Sequence, residues 1–189
     1  GAAFIYGHDG QSWDPNYQVQ LVAPNIDDIR ESSFFGSSVA IDAATQKAVV
    51  GMPGPAGNLG KAFVYAWDGA SWTYEAQLRV TPDDDNWLSS GAEFGASVDI
   101  SGNLIVVGAP KHVMPTESGR AYIFENTHDG VWEFRAMLSA GPEKDWGDQF
   151  GKSVAIAKVG DMSVAFVGSP WRDSIKYDKY SGDNRGAVY

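Results

Sequence analysis

The densest acidic cluster in the sequence is residues 81–86, which include three consecutive aspartates. Asp83 and Asp85 could share a divalent cation, because calcium and magnesium are bound by several closely spaced oxygens. The corresponding loops, residues 25–28 and 143–148, are acidic as well. We therefore interpret the acidity as a property of repeated, solvated loops, and expect neither a metal site nor a cofactor there.

The three histidines do not form a catalytic or metal-binding pattern. His8 and His128 each flank an Asp-Gly turn and hold the same place in a repeat, so they cannot converge on one ion, and His112 lies in a loop or at a strand end. Thiol catalysis is excluded because the chain has no cysteine. No Ser-His-Asp order, H-E-x-x-H motif or phosphate-binding loop is present. We expect no catalytic and no cofactor-binding residues.

Residues 171–180 carry the side chains that are most typical of a binding surface. Trp171, Arg172, Tyr177 and Tyr180 belong to the residue types that dominate interface hot spots. Loops on a rigid scaffold are also where binding residues concentrate. The segment is thus a candidate partner-binding loop, and the alternative is a longer surface loop without a partner.

The composition of the chain limits the class of protein to which it can belong. The chain has 189 residues, 43% of them hydrophobic and 20% charged, which is a globular profile. Its 22 glycines and nine prolines favour an all-β protein with many turns. A formal net charge of −10 opposes nucleic-acid binding. No apolar run approaches the ~20 residues of a membrane span, so we expect no membrane insertion by this segment.

Four sequence landmarks recur with a period near 59 residues, which indicates a repeat protein. A Gly-x-Ala-aromatic strand starts at Gly1, Gly60 and Gly119, and a Gly-Ala-Val-Tyr copy starts at Gly186, at intervals of 59, 59 and 67 residues. The other landmarks are a tryptophan after a hairpin turn (Trp13, Trp72, Trp132), a Phe-Gly pair (Phe35, Phe94, Phe150) and a Gly-x-Pro triplet (Gly51, Gly108, Gly168). The third interval is longer because it contains residues 171–180.

Each period predicts four short strands. In the middle period these are residues 97–100, 104–107, 121–124 and 132–138. Residues 104–107 are apolar throughout, as in a strand buried on both faces, whereas 132–138 alternate as a half-exposed outer strand does. The Asp-Gly pairs between the third and fourth strands favour type I′ hairpin turns, whose two central residues need positive φ. Four strands per period predict a β-propeller of four-stranded antiparallel blades.

The segments FFGSSVAID…AVVGMP, EFGASVDIS…IVVGAP and QFGKSVAIA…AFVGSP resemble FG-GAP repeats, the blades of integrin-alpha-like β-propellers. This resemblance covers essentially the whole chain, and implies that the Phe-Gly strand is innermost in its blade and the tryptophan strand outermost. It divides the chain into the end of one blade (1–24), two blades (35–82 and 94–142) and the start of a further blade (150–189), with thirteen strands in all.

About three periods cannot close a propeller, because closed rings use ~4–8 blades. We expect this partial propeller to be completed either by remaining blades of a longer chain or by other copies. Phe35, Phe94 and Phe150 should be buried between neighbouring blades. Apolar blade faces, lined by residues such as Val39, Ile41, Val154 and Ile156, should be covered in the complete assembly.

Many integrin-like blades carry a calcium loop between their first two strands, according to the same resemblance. The corresponding loops here are residues 42–47, 101–103 and 158–162. They lack the clustered carboxylates that calcium requires, and Lys47 and Lys158 oppose a cation. We therefore expect no calcium in these three loops.

The resemblance implies a non-enzymatic propeller module for adhesion, scaffolding or assembly through protein–protein contacts, located outside the cell or at its surface. One alternative is a carbohydrate-binding propeller, in which the aromatic loops around Trp87, Trp146 and Trp171 stack on sugars. Another is an accessory propeller of a larger enzyme. The expected ligand is thus a protein or a glycan.

Overall fold

The computed structural model describes residues 1–25, 33–54, 58–80, 91–111, 118–128, 130–141, 147–171 and 187–188. Thirteen strands and no helix occur in these ranges. The strands are β1 (Ala3–His8), β2 (Trp13–Leu21), β3 (Ser38–Asp42), β4 (Lys47–Met52), β5 (Lys61–Trp67), β6 (Trp72–Leu78), β7 (Ser97–Ser101), β8 (Leu104–Ala109), β9 (Arg120–His128), β10 (Val131–Leu138), β11 (Ser153–Val159), β12 (Met162–Ser169) and β13 (Ala187–Val188). No helix of the described ranges is therefore a candidate for crossing a membrane.

The strands form four antiparallel sheets in chain order. Blade I contains β1 and β2, blade II contains β3–β6, blade III contains β7–β10, and blade IV contains β11–β13. In the two complete blades each strand pairs with the next along the chain, so β3 and β7 are innermost and β6 and β10 outermost. The predicted fold is confirmed: the chain is an all-β partial propeller of four-stranded blades.

Burial follows the strand order within a blade. β8 is buried from Ile105 to Ala109 because it lies between two strands of its own sheet and has neighbouring blades on both faces. β10 is the outer strand, and its exposed and half-buried residues alternate over most of its length. The continuous and alternating patterns of the sequence therefore identified inner and outer strands correctly.

Two of the three Asp-Gly hairpins differ from the expected two-residue turns; in the third, β9 ends at His128 and β10 begins at Val131, with two residues between them as expected. β1 and β2 are joined by four residues, 9–12, and only Gly10 among them has positive φ, at 96°. The Asp9 carboxylate accepts hydrogen bonds from the backbone amides of Gln11 and Ser12, both at 2.8 Å. Residues 68–71 repeat this arrangement around Gly69. The aspartate side chain thus replaces the second positive-φ residue, so the type I′ expectation is wrong for these two turns.

The core consists of three apolar layers, one between each pair of adjacent blades. Each layer contains one of the three repeated phenylalanines Phe35, Phe94 and Phe150, which are all buried. Phe94 packs against the rings of Tyr122 and Phe124 at centroid separations of 5.6 and 6.0 Å. The predicted burial of all three phenylalanines between blades is confirmed.

Glycines interlock neighbouring blades at a repeated contact. The Gly95 amide donates to the Gly108 carbonyl of its own blade, at 3.0 Å. Its carbonyl meanwhile faces Gly51 of blade II, where an added Cβ would lie only 2.0 Å from that oxygen. Gly151 and Gly108 repeat this contact between blades III and IV, also at 2.0 Å. Glycine is therefore required at these positions of the Phe-Gly and Gly-x-Pro motifs, because the backbones of two blades are in contact there and leave no room for a Cβ atom.

Candidate functional site

The predicted partner-binding loop begins at an exposed tryptophan. Trp171 follows the end of β12, and 54% of its surface is exposed. Gly54 and Lys111 hold the same position in blades II and III, directly after the Gly-x-Pro triplet. Arg172, Tyr177 and Tyr180 lie outside the described residues. The structure therefore places one of the four candidate side chains, and it places that one in solvent.

The end of the blades at which Trp171 lies is the end with the longer connections. The β3–β4 and β7–β8 hairpins have short turns, residues 43–46 and 102–103. Because neighbouring strands are antiparallel, the connections between second and third strands and between successive blades all leave from the opposite end. We call that end the long-loop face. Chain length there is free to vary without disturbing strand pairing, which suits it for binding residues.

In the first of the three hairpin loops considered for calcium, the carboxylate of Asp42 joins two blades. Asp42 accepts the Thr45 hydroxyl at 2.8 Å and the Gly102 amide of the next blade at 2.9 Å. Burial opposes ionisation of Asp42, but the hydrogen bonds from Thr45, Ala44 and Gly102 outweigh it, so its pKa lies below the usual range. Its carboxylate thus has structural partners already.

The lysine at the end of the first hairpin loop is paired with a carboxylate. Lys47 forms an ion pair with Glu75, which also accepts the Trp132 indole N–H from blade III at 2.8 Å. Among the described residues there is no cluster of three or more His, Asp or Glu side chains suited to a metal ion. The absence of calcium from the three loops remains a prediction, which is tested below.

The remaining polar candidates do not converge. His8 accepts the Gly10 amide through Nδ1 at 3.0 Å and packs edge-on against Trp13, whereas His128 ends β9 in another blade. The candidate residues outside the described ranges are His112, Asp83, Asp85, Trp87 and Trp146. A shared histidine site is therefore not formed by His8 and His128.

Sequence reasoning missed one buried cation. Arg120 is buried at the start of β9, where its guanidinium donates to the Gly119 carbonyl at 2.8 Å and to the Ser118 hydroxyl at 3.2 Å. Burial lowers its pKa. Blades I and II carry Ala2 and Lys61 at this repeat position. The sequence therefore showed that the residue differs between blades, but it did not show that Arg120 is buried. Its partners belong to its own strand start, which indicates a structural role.

A cavity of about 470 Å³ opens between blade I and blade II. The residues that line it include Tyr6, Tyr17, Ile41, Trp67 and Trp72. It lies beside the free edge of β1, on the inner side of the β1–β2 hairpin. The inner strands of a complete blade occupy this place in blades II and III.

These features define a β-propeller module in which several polar side chains join neighbouring blades, with an exposed aromatic residue on the long-loop face. Comparison with known proteins agrees with this class. Residues 72–124 match the family model for the FG-GAP repeat. The resemblance to FG-GAP, integrin-alpha-like proteins is thus confirmed.

Two curated human proteins are similar to the chain along its entire length. Integrin alpha-D is 26% identical over 203 residues, and integrin alpha-X is 25% identical over 203 residues. The chain spans 15% of the length of each of these relatives. The similarity therefore concerns one part of each integrin chain and supports a propeller module.

Proposed function

We propose that this chain is a non-enzymatic propeller module that binds another protein through its long-loop face, in an adhesion or scaffolding role outside the cell or at its surface. The exposed Trp171 carries this proposal. A tryptophan in solvent has a large apolar surface to bury against a partner. It also begins the one connection that departs from the repeat period.

Similarity to integrin alpha-D and integrin alpha-X supports an adhesion-type role and a surface location. The net charge of −10 favours a partner with a basic surface, because complementary charge speeds encounter and disfavours acidic partners. Carbohydrate binding is the alternative, because an exposed indole ring such as that of Trp171 can also stack on a sugar.

The test compares Trp171→Ala with Trp13→Ala, which removes another exposed tryptophan from the outer strand of blade I. Wild type and both variants are immobilised and screened against an array of cell-surface and matrix proteins and against a glycan array. We expect Trp171→Ala to weaken binding to a protein ligand at least about tenfold, as for an interface hot spot, and Trp13→Ala to leave it unchanged. Equal effects of both variants would refute the assignment of the face, and binding to glycans alone would support the carbohydrate alternative.

A further inference from the structure

A second cavity, of about 680 Å³, opens between the two complete blades, II and III. It lies at the end of the blades opposite the long-loop face, because the turns of β3–β4, β7–β8 and β9–β10 all contribute residues to its lining. We call it the blade II–III cleft. Its size is within the ~300–1,000 Å³ of small-molecule sites, and it is bounded by two blades whose four strands are all present.

On the blade II side, the cleft is charged at a position where the repeat is otherwise apolar. Lys47 begins β4, and the residues equivalent to it, four before the Gly-x-Pro glycine, are Leu104 and Val164. Leu104 packs against the apolar layer between blades III and IV. Lys47 instead forms an ion pair with Glu75. This position therefore provides a charged pair in the cleft rather than an apolar contact between blades.

On the blade III side, the cleft departs from the repeat at Asn126. In the two preceding blades an aromatic ring at this position contacts the first tryptophan of the next strand, with centroids 5.1 Å apart in His8–Trp13 and 5.8 Å apart in Trp67–Trp72. Asn126 has no ring to offer Trp132, whose indole N–H donates to Glu75 of blade II. Asn126 lines the cleft, and its side-chain amide has no hydrogen-bond partner among the described residues.

These departures give the cleft hydrogen-bonding groups of both kinds. The Lys47 ammonium has three N–H donors, and among the described residues only Glu75 accepts from it. The Asn126 amide offers two donors and an acceptor oxygen. The Glu75 carboxylate accepts from Lys47 and Trp132 and has further lone pairs. The described residues that line the cleft include no large apolar or aromatic residue, so its ligand must be recognised through polar contacts.

The cleft is also balanced in charge. Lys47 and Glu75 neutralise each other, and only 17% and 15% of their side-chain surfaces are exposed. A charged ligand would compete with this largely buried pair, and leaving one member of such a pair without its partner is costly. An uncharged ligand whose groups both donate and accept can bind beside the pair without separating it.

We propose that the blade II–III cleft binds a neutral sugar unit of a glycan, which accepts hydrogen bonds from Lys47 and Asn126 and donates to Glu75. Each sugar hydroxyl both donates and accepts, as the neighbouring donors and acceptors of the cleft require. A peptide is recognised through a free strand edge or apolar anchors, whereas β4 and β9, which carry Lys47 and Asn126, are each paired on both edges. The site lies opposite the proposed protein-binding face and does not depend on it.

A glycan array and a set of methyl glycosides test the site. The array presents neutral hexose and N-acetylhexosamine termini, with N-acetylneuraminic acid and sulfated galactose termini as charged comparators. We expect the protein to bind neutral termini in preference to charged ones, and the matching methyl glycoside to compete. Absence of binding to every neutral terminus, or stronger binding to charged termini, would overturn the proposal.

Asn126→Ala should weaken binding of the neutral glycan about fivefold or more, because it removes a hydrogen-bonding amide from the cleft. Asn16→Ala is the matched control and should leave binding unchanged, since Asn16 is exposed on the outer strand of blade I. Asn126→Trp restores the aromatic residue of blade II, so it should abolish binding while the blade stays folded. Circular dichroism and the melting temperature establish that each variant is folded. Wild-type affinity in both Asn126 variants would show that the glycan binds elsewhere.

Glu75→Gln tests the charge balance. Glutamine keeps an acceptor oxygen for Trp132 but leaves the Lys47 cation unpaired, so we expect weaker binding of the neutral glycan and new binding of N-acetylneuraminic acid termini. An unchanged preference would contradict the role of the pair. Trp171→Ala should leave glycan binding unchanged, because Trp171 lies at the other end of the blades. Loss of glycan binding in Trp171→Ala with retention in Asn126→Ala would place the sugar on the long-loop face and overturn this site.

Discussion

Aspartate side chains on inner strands form hydrogen bonds that join one blade to the next. Asp42 accepts the Gly102 amide of blade III, and Asp99 accepts the Ile156 amide of blade IV at 2.7 Å. Each of these amides lies on the inner strand or inner turn of the following blade. Side chains thus satisfy backbone donors that the blade's own sheet does not reach.

Asp42→Asn should lower the free energy of unfolding by about 1 kcal/mol near neutral pH, because an amide offers fewer acceptor sites than a carboxylate. The folded pKa of Asp42 is depressed, so its ionised form contributes stability above the unfolded pKa, which is ~3.9 for aspartate. That contribution is lost as the pH falls through the folded pKa. The free energies of unfolding of wild type and variant, measured by urea titration, should therefore converge as the pH falls through the folded pKa of Asp42.

Asp161→Asn is the control, because Asp161 is exposed in the β11–β12 turn. It should change the unfolding free energy by less than about 0.5 kcal/mol at any pH. The assignment of Asp42 would be wrong if both variants had the same pH profile.

At the scale of the elements, blades are held at a fixed spacing by backbone contacts as well as by apolar side chains. The start of β5 follows Gly60, which bridges in parallel to Phe94 of the next blade, and Gly119 bridges to Phe150 in the same way. The residue before each repeated Phe-Gly phenylalanine has positive φ, although none is glycine: Phe34, Glu93 and Gln149 lie between 53° and 58°. Tertiary contacts at the junction maintain this unfavourable backbone conformation.

Gly51→Ala should destabilise the protein by about 3 kcal/mol or more, since its Cβ would lie 2.0 Å from the Gly95 carbonyl and backbone stands on both sides of the contact. Gly69→Ala is the control: its Cβ would meet nothing within 4 Å, and only its positive φ of 99° opposes the substitution. That conformational cost is about 1–2 kcal/mol. Chemical denaturation of both variants measures the difference, and an equal or smaller loss in Gly51→Ala would argue against interlocked blades.

At the scale of the whole molecule, the four sheets form an open arc whose order and stability come from blade-to-blade layers. Each layer is apolar and contains one repeated phenylalanine, so the described contacts between blades are mainly apolar. In the β3–β4 turn, the carboxylate of Asp42 accepts a hydrogen bond from the Gly102 amide of the next blade. The arc should therefore hold together in the same way with and without calcium.

Millimolar calcium should shift the melting temperature by less than about 1 °C relative to a chelator at matched ionic strength. A ligand at 100 times its Kd stabilises a protein by ~2.7 kcal/mol, which for this chain length corresponds to several degrees. Differential scanning calorimetry makes the comparison. A calcium-dependent rise of that size in wild type that disappears in Asp42→Asn would place an ion in the β3–β4 turn and contradict us.

Local sequence pattern was sufficient for the strands and for the burial of Phe35, Phe94 and Phe150, whereas the order of strands in a blade was predicted from the resemblance to FG-GAP repeats. These features repeat at fixed spacing, and a strand's burial is encoded in the period of its apolar residues. The turns at Asp9-Gly10 and Asp68-Gly69 were located correctly, but their geometry was not, because an aspartate side chain can replace a second positive φ.

Contacts between residues far apart in sequence could not be read from the chain alone. The burial of Arg120, the carboxylate bonds from Asp42 and Asp99 to the next blade, and the contrast between exposed Val39 and buried Val98 all depend on which blade lies beside which. Val39 and Val98 occupy identical repeat positions and differ only in their neighbours. Sequence thus specified the blade as a local unit, whereas exposure and partner choice arise where blades meet, through packing that no local pattern encodes.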